Sequence, residues 1–198
     1  KSPLTGIYGD ANAGGHFTPE MKRSGFDMIV FEGRSPKPVY LWVHNGEVEI
    51  RDASHIWEKG THETETILQS DIGDKRVQVA SIGPAGENLV RFASIVTHGC
   101  VAARAGMGCV MGSKNLKAVA ALGSLEIPIA KRDEYLKACI DAQKEVLKNP
   151  FTPELSRYGT PQLSVPMSEI GRFPTKNHLQ GHFEFVEDIS AERIQKDH

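Results

Sequence analysis

With three cysteines in 198 residues and no two of them spaced Cys-x-x-Cys, the chain lacks both the even count of a disulfide framework and the ligand spacing of a protein-only zinc site. Cys100, Cys109 and Cys139 therefore fit a reducing compartment. Excess charge is also missing. The net charge is −2 and basic residues are scattered among acidic ones, so there is no basic footprint for nucleic acid. Apolar runs are short, residues 118–122 being typical of the longest, and none can cross a bilayer. No charged-then-apolar leader opens the sequence. The expectation is a soluble, cytoplasmic protein without nucleic-acid or membrane partners. Apolar and charged fractions of 39% and 24% are ordinary for a globular protein, and they allow one large or two small domains with a real core. Nucleotide fingerprints are absent as well. No Gly-x-x-x-x-Gly-Lys-Ser/Thr occurs, and Gly106-Met107-Gly108 fails at the third glycine of a dinucleotide loop, which argues against ATP and NAD.

What is present is a set of short elements. Thr18-Pro19 reads as an N-cap and first helical residue, with Gly25 as the stop. Residues 26–31, apolar except for Asp27 and bounded by glycine, read as a buried strand. Residues 39–44 and 47–51 flank Asn45-Gly46, the signature of a hairpin with a type I′ turn. Asp52 can cap a short helix through Trp57, and Thr61 can start a longer one. Strands are expected over 76–82 and 89–96, with a tight loop at 82–88 between them. Residues 133–148 carry a helical apolar stripe that includes Cys139 as a core residue, and a further helix is expected over 161–170.

Residues 100–123 hold four glycines and an apolar strand, a design that brings bare backbone close to something. This stretch has an earlier relative. Ala11-Asn12-Ala13-Gly14 matches Ala103-Arg104-Ala105-Gly106, and each is followed by a helix candidate and an apolar run that ends at Gly33 or Gly123. Two equivalent loops can hold two similar halves of one ligand. A glycine-rich loop leading into a helix offers free N–H donors to an anion, and Arg104 adds a fixed charge. Cys100 and Cys109 read as small packing residues and His16 as an exposed loop residue. Lys114 and Lys117 read as a solvated face, and Glu87 and Asn88 as caps of their own loop.

The ordered segments KSPLTG, ANAGG, GFDMIVFEGRSPKPVYL, EVEIRDASHIWEKGTHETE, VASIGPAGENLVRFA and GMGCVMGSKNLKAVA closely resemble the N-terminal domain of the tungsten-containing aldehyde:ferredoxin oxidoreductase family. The match runs over residues 1–130 and continues more thinly through Tyr158-Gly159-Thr160-Pro161 and Phe173-Pro174-Thr175-Lys176-Asn177. The resemblance implies an α+β fold: layered antiparallel sheets with flanking helices, built here from the two loop–helix–strand repeats. Residues 1–128 would form a bis-pterin-binding domain truncated at its start, and 129–198 the beginning of a helical, cluster-binding domain.

By the same resemblance, Asn12 and Gly14 contact one pterin, and Cys100, Val101, Ala103 and Arg104 occupy the positions that contact the other. The metal, tungsten or molybdenum, is held by pterin sulfurs with magnesium at the phosphates, so no protein residue of this chain is a metal ligand. The 4Fe-4S cluster motif and the acid–base residues of the family belong to later domains, which leaves no catalytic residue here. Typical members read Arg-Ala-Ala-Gly-Arg-Gly-Gly where this chain has Cys100-Val101-Ala102-Ala103-Arg104-Ala105-Gly106. Cysteine in place of arginine at position 100 removes a charge-assisted hydrogen bond of about 1.5–3 kcal/mol.

The implied activity is oxidation of a small aldehyde to its carboxylic acid, with electrons passed through an iron–sulfur cluster to ferredoxin or a similar acceptor. A homodimer or an electron-transfer subunit would complete it. The alternatives are a same-family reductase of an aromatic thioester of the benzoyl-CoA type and a non-catalytic pterin- or anion-binding module. This chain alone is expected to be inactive, and both its ends read as cuts through a longer protein.

Overall fold

The computed structural model describes residues 1–197. The chain divides into two compact units, Lys1–Pro128 and the remainder from Ile129.

The first unit is built on one six-stranded sheet. Its elements in chain order are α1 (Phe17–Arg23), β1 (Val39–His44), β2 (Glu47–Asp52), α2 (Thr61–Ile72), β3 (Gln78–Ser81), α3 (Pro84–Glu87), β4 (Ile95–Thr97), β5 (Cys100–Ala102), α4 (Met107–Ser113) and β6 (Leu116–Leu122). The strand order is β2-β1-β6-β3-β4-β5. All neighbours pair antiparallel except β1 and β6, which run parallel at the centre. The α+β class is as expected. The sheet is a single layer rather than several, and its central parallel pair is a departure from a purely antiparallel arrangement.

The period-2 pattern of the central strands separates two cores. Tyr40, Trp42, Val79, Ala118 and Ala120 pack with Ile56, Leu68 and Val77 on one side, where α2 covers the sheet. Leu41, Val43, Val119 and Ala121 face the other side, under Phe17 and Met21 of α1 and Phe26, Ile29 and Phe31. Full burial of a side chain of valine size or larger contributes about 1.5–3 kcal/mol.

The Asn45-Gly46 hairpin forms as its dipeptide requires, with φ of 45° and 87° at the two turn residues. Residues 26–31 do not form a strand. Phe26, Ile29 and Phe31 lie on the face of the sheet, where side chains pack but the backbone has no ladder partner, while Met28 and Val30 point out. Only the second repeat therefore completes the loop–helix–strand order. Helix α1 starts one residue earlier than Thr18 and has no side-chain cap. The expected strand over 89–96 shrinks to Ile95–Thr97, which turns through His98-Gly99 into β5.

The second unit contains α5 (Arg132–Lys148), α6 (Phe151–Tyr158), α7 (Ser164–Glu169) and α8 (Ala191–Asp197). Every residue of α5 is exposed, Cys139 included, so its apolar stripe is not the core that its spacing predicts. Ser168, Val186, Ser190 and Ala191 are the buried points of this unit, and Ser168 accepts the Phe183 N–H at 3.0 Å. The expected helix at 161–170 is a 3₁₀ turn, Thr160–Leu163, followed by α7.

Candidate functional site

Two loops of the first unit run side by side. At one end a Cβ added to Gly9 would lie 2.6 Å from the Ala105 Cβ. At the other, a Cβ on Gly15 would lie 3.4 Å from Cys100 Sγ, and one on Gly14 would lie 3.8 Å from it. Between these contacts opens a cavity of about 300 Å³ lined by Ala11, Asn12, Val101, Ala103 and Arg104. Four sequence-derived site residues, Asn12, Val101, Ala103 and Arg104, thus share one cavity wall, and Gly14 and Cys100 meet beside it.

Local chemistry explains how the loops take this course. The β4–β5 hairpin turns on His98 and Gly99, at φ of 42° and 78°, and delivers Cys100 and Val101 on a short edge strand. Ala105 and Gly106 are both left-handed, at φ of 61° and 71°. For Ala105 that conformation costs about 1–2 kcal/mol, and it bends the chain sharply just after Arg104. The bend leaves Arg104 exposed, and it makes no ion pair among the described residues. The cavity therefore carries a guanidinium with free donors, an amide at Asn12, and otherwise small side chains that let a flat ligand approach the backbone. This donor set suits a planar, anionic group rather than a metal ion, and among the described residues no cluster of His, Cys, Asp and Glu could hold a metal.

The remaining glycines of the stretch do something else. A Cβ on Gly106 would lie 2.0 Å from Arg91 O, on Gly108 2.4 Å from Ser94 O, and on Gly112 1.9 Å from Gly86 O. Their bare backbone approaches other backbone, not a ligand. The Gly108 N–H donates to Ala93 O at 2.9 Å, so one of the first N–H groups of α4 is taken up by the chain itself.

His16 and His98 extend the contact between the loops. Their rings meet edge to face at 5.9 Å, and His98 Nδ1 lies 3.6 Å from Glu65 Oε1 on α2. Cys109 is buried and its thiol points at Leu89 O at 3.5 Å, a packing role. Lys114 donates to Gly33 O at 3.0 Å. Asn88 Nδ2 donates to Pro84 O at 2.9 Å, as a local cap.

Sequence reasoning missed one arrangement. Lys117 is not on a solvated face: it is wholly buried and ion-paired with Glu87, whose side chain is 3% exposed. Its Nζ also donates to Lys59 O at 2.7 Å, and the other Glu87 oxygen accepts the Glu58 N–H at 2.8 Å. Burial pushes the Lys117 ammonium below the ordinary lysine range, and the Glu87 carboxylate opposes that shift. A signal did exist in the sequence, since Lys117 stands inside the apolar run 116–122, where a solvated lysine would break the strand's burial.

The first unit is thus an α+β domain in which two small-residue loops meet beside an exposed arginine. Comparison with known families matches "aldehyde ferredoxin oxidoreductase, N-terminal domain" over residues 1–123 and "domains 2 & 3" of the same enzyme type over 137–198. The chain belongs to the aldehyde ferredoxin oxidoreductase family. It is 45% identical to a tungsten-containing aldehyde ferredoxin oxidoreductase of Pyrococcus abyssi and 46% identical to one of Thermococcus kodakarensis, each over 98% of this chain and 32% of the relative. It therefore spans about a third of the length of these curated relatives. A solved active-site complex of benzoyl coenzyme A reductase with 1,5-dienoyl-CoA superposes with a TM-score of 0.68 at 45% identity, over 71% of this chain and 22% of that one.

Proposed function

We propose that this chain is the cofactor-binding part of a tungsten or molybdenum bis-pterin oxidoreductase that oxidises aldehydes to carboxylic acids. The observation that carries the reading is the meeting of the loops around Asn12 and Arg104 in a chain of this family. In it, Arg104 presents its planar fork of N–H donors to a pterin ring edge or phosphate, and the Asn12 amide donates and accepts beside it. Gly14 and Ala103 keep the surface low so that backbone groups contact the ligand directly, and Cys100 and Val101 line its edge. When bound, the cofactor supplies the two-electron chemistry; these residues orient it, shield one face from water and set its electrostatics.

The finer parts of the reading come from the family. They are magnesium at the pterin phosphates, a 4Fe-4S cluster in regions downstream, and ferredoxin or a comparable acceptor, reached directly or through a partner subunit. A cytoplasmic setting is supported by three free cysteines. It also accords with the finding that, among the described residues, no helix is long and apolar enough to cross a membrane.

The likeness to the benzoyl coenzyme A reductase complex favours one second reading, in which the same platform serves reduction of an aromatic thioester. Assays of the natural polypeptide carrying this chain separate the two: aldehyde-dependent reduction of a viologen dye supports the first, and dienoyl-CoA-dependent dye reduction the second. Metal and pterin analysis tests what they share. A protein with neither metal nor pterin overturns both and leaves the non-catalytic module.

A further inference from the structure

The Lys117–Glu87 pair has an unusual origin. Between β1 and β6, Val39 pairs with Leu116 but Tyr40 pairs with Ala118, so Lys117 is the extra residue of a β-bulge. A bulge re-aims its side chain, and here it turns a lysine out of a central strand's alternation towards the end of α3. Glu87 receives it there, and the two side chains together hold the backbone of Glu58 and Lys59. Glu58 is itself left-handed, at φ of 68°.

A buried ion pair is a poor stabiliser, because desolvation of both charges offsets their attraction, and an apolar pair of similar volume often does as well. What it fixes is geometry. Residue 87 ends α3, and the residue before it, Gly86, is where α3 meets α4: a Cβ on Gly86 would lie 2.9 Å from Gly108 O, and one on Gly112 would lie 1.9 Å from Gly86 O. Two packed backbones at that distance move together. Helix α4 begins immediately after the left-handed bend at Ala105 and Gly106 that presents Arg104.

We infer that Lys117 and Glu87 are positioning residues for the Arg104 loop, locking α3 to the sheet so that α4 and the bend before it are held in one place. This rests on the cofactor-binding reading above, and it adds residues that touch no part of the cavity. The coupling runs through contiguous backbone contacts from the bulge to the loop.

The test uses the natural polypeptide carrying this chain, as wild type, as the double variant Lys117→Met/Glu87→Met, and as Glu87→Asp. The double variant strands no charge; Glu87→Asp keeps the charge but retracts it by one methylene. Three quantities are read: the thermal midpoint, the rate of pterin loss on dilution, and amide hydrogen exchange. Exchange over residues 104–108 is compared with that in the β1–β2 hairpin. In both variants pterin loss and exchange over 104–108 should quicken by about tenfold while hairpin exchange holds steady. Variants that match wild type in both, or that speed exchange equally everywhere, overturn the inference and leave the pair a plain core contact. Should the double variant fail to fold, Glu87→Asp decides alone. If wild type carries no pterin, the cofactor reading fails, and exchange over 104–108 still judges the positioning role by itself.

Discussion

Gly112→Ala is the substitution whose sign is most informative. At an open helix position, replacing glycine by alanine stabilises by about 1 kcal/mol. At Gly112 the new Cβ would meet Gly86 O at 1.9 Å, Gly86 C at 2.6 Å and Glu87 N at 3.3 Å. All three are backbone atoms of α3, so no side chain can swing away. Reaching ordinary contact at 3.4 Å requires α3 and α4 to part by about 1.5 Å, which opens a gap along the whole interface and forfeits part of its dispersion energy. Overpacking of this kind costs about 1–3 kcal/mol or more, so after the helix gain a net loss of about 2 kcal/mol is expected. Both tryptophans, Trp42 and Trp57, lie in the first unit, so urea unfolding followed by tryptophan fluorescence reads that unit alone. A lowered midpoint at unchanged slope is the expected result. A raised midpoint would show that Gly112 faces open space, and the assignment of these glycines to backbone packing would fall.

Other expectations concern the loops and the surface. Arg104→Ala should leave the urea midpoint within about 0.5 kcal/mol of wild type, because the side chain is exposed and unpaired among the described residues, while pterin content of the natural polypeptide drops. Arg104→Lys should restore little of it, since a point charge lacks the planar fork. Gly46→Ala should destabilise by about 1–2 kcal/mol through the backbone alone, as φ is 87° and no atom lies within 4 Å of the added Cβ. Gly46→Asn should cost less, which paired urea curves would show. Hydrogen bonds from the Arg76 side chain, and then from its backbone N–H, hold the Asp74 carboxyl down to about 2 from an ordinary 3.8. Its share of stability is present above the ordinary value and lost as pH falls towards 2. Asp74→Asn should therefore lower stability slightly at neutral pH and flatten the urea-midpoint profile between pH 4 and pH 2.

Local signals were legible where local chemistry decides. Asn45-Gly46 specified its hairpin because two left-handed residues in a row leave few alternatives. His98-Gly99 made the same turn between strands of only three residues, too short to show an alternating pattern. The apolar run 26–31 has strand composition, but composition does not say whether a segment lies along a sheet edge or across its face. At the site, the alignment of Asn12 with Arg104 was readable as a repeat, although only the fold shows that the two loops touch. The purpose of Gly106, Gly108 and Gly112 was not readable, because each is required by a carbonyl distant in sequence, that of Arg91, Ser94 or Gly86. The apolar run around Lys117 signalled its burial, but its bulge was hidden for a related reason: a bulge is a property of pairing between strands, and a single strand's sequence does not contain it.

The central claim is that the paired loops at Asn12 and Arg104 hold a metal-bearing pterin. Its most direct measurement is elemental analysis together with pterin fluorescence after oxidative release, on the natural polypeptide and its Arg104→Ala variant purified side by side from cells supplied with tungstate and molybdate. The account predicts near-stoichiometric tungsten or molybdenum with pterin in the first and a marked loss of both in the second, with equal thermal midpoints once both proteins are stripped of cofactor. A folded protein without metal or pterin, or a variant that retains both in full, would contradict it.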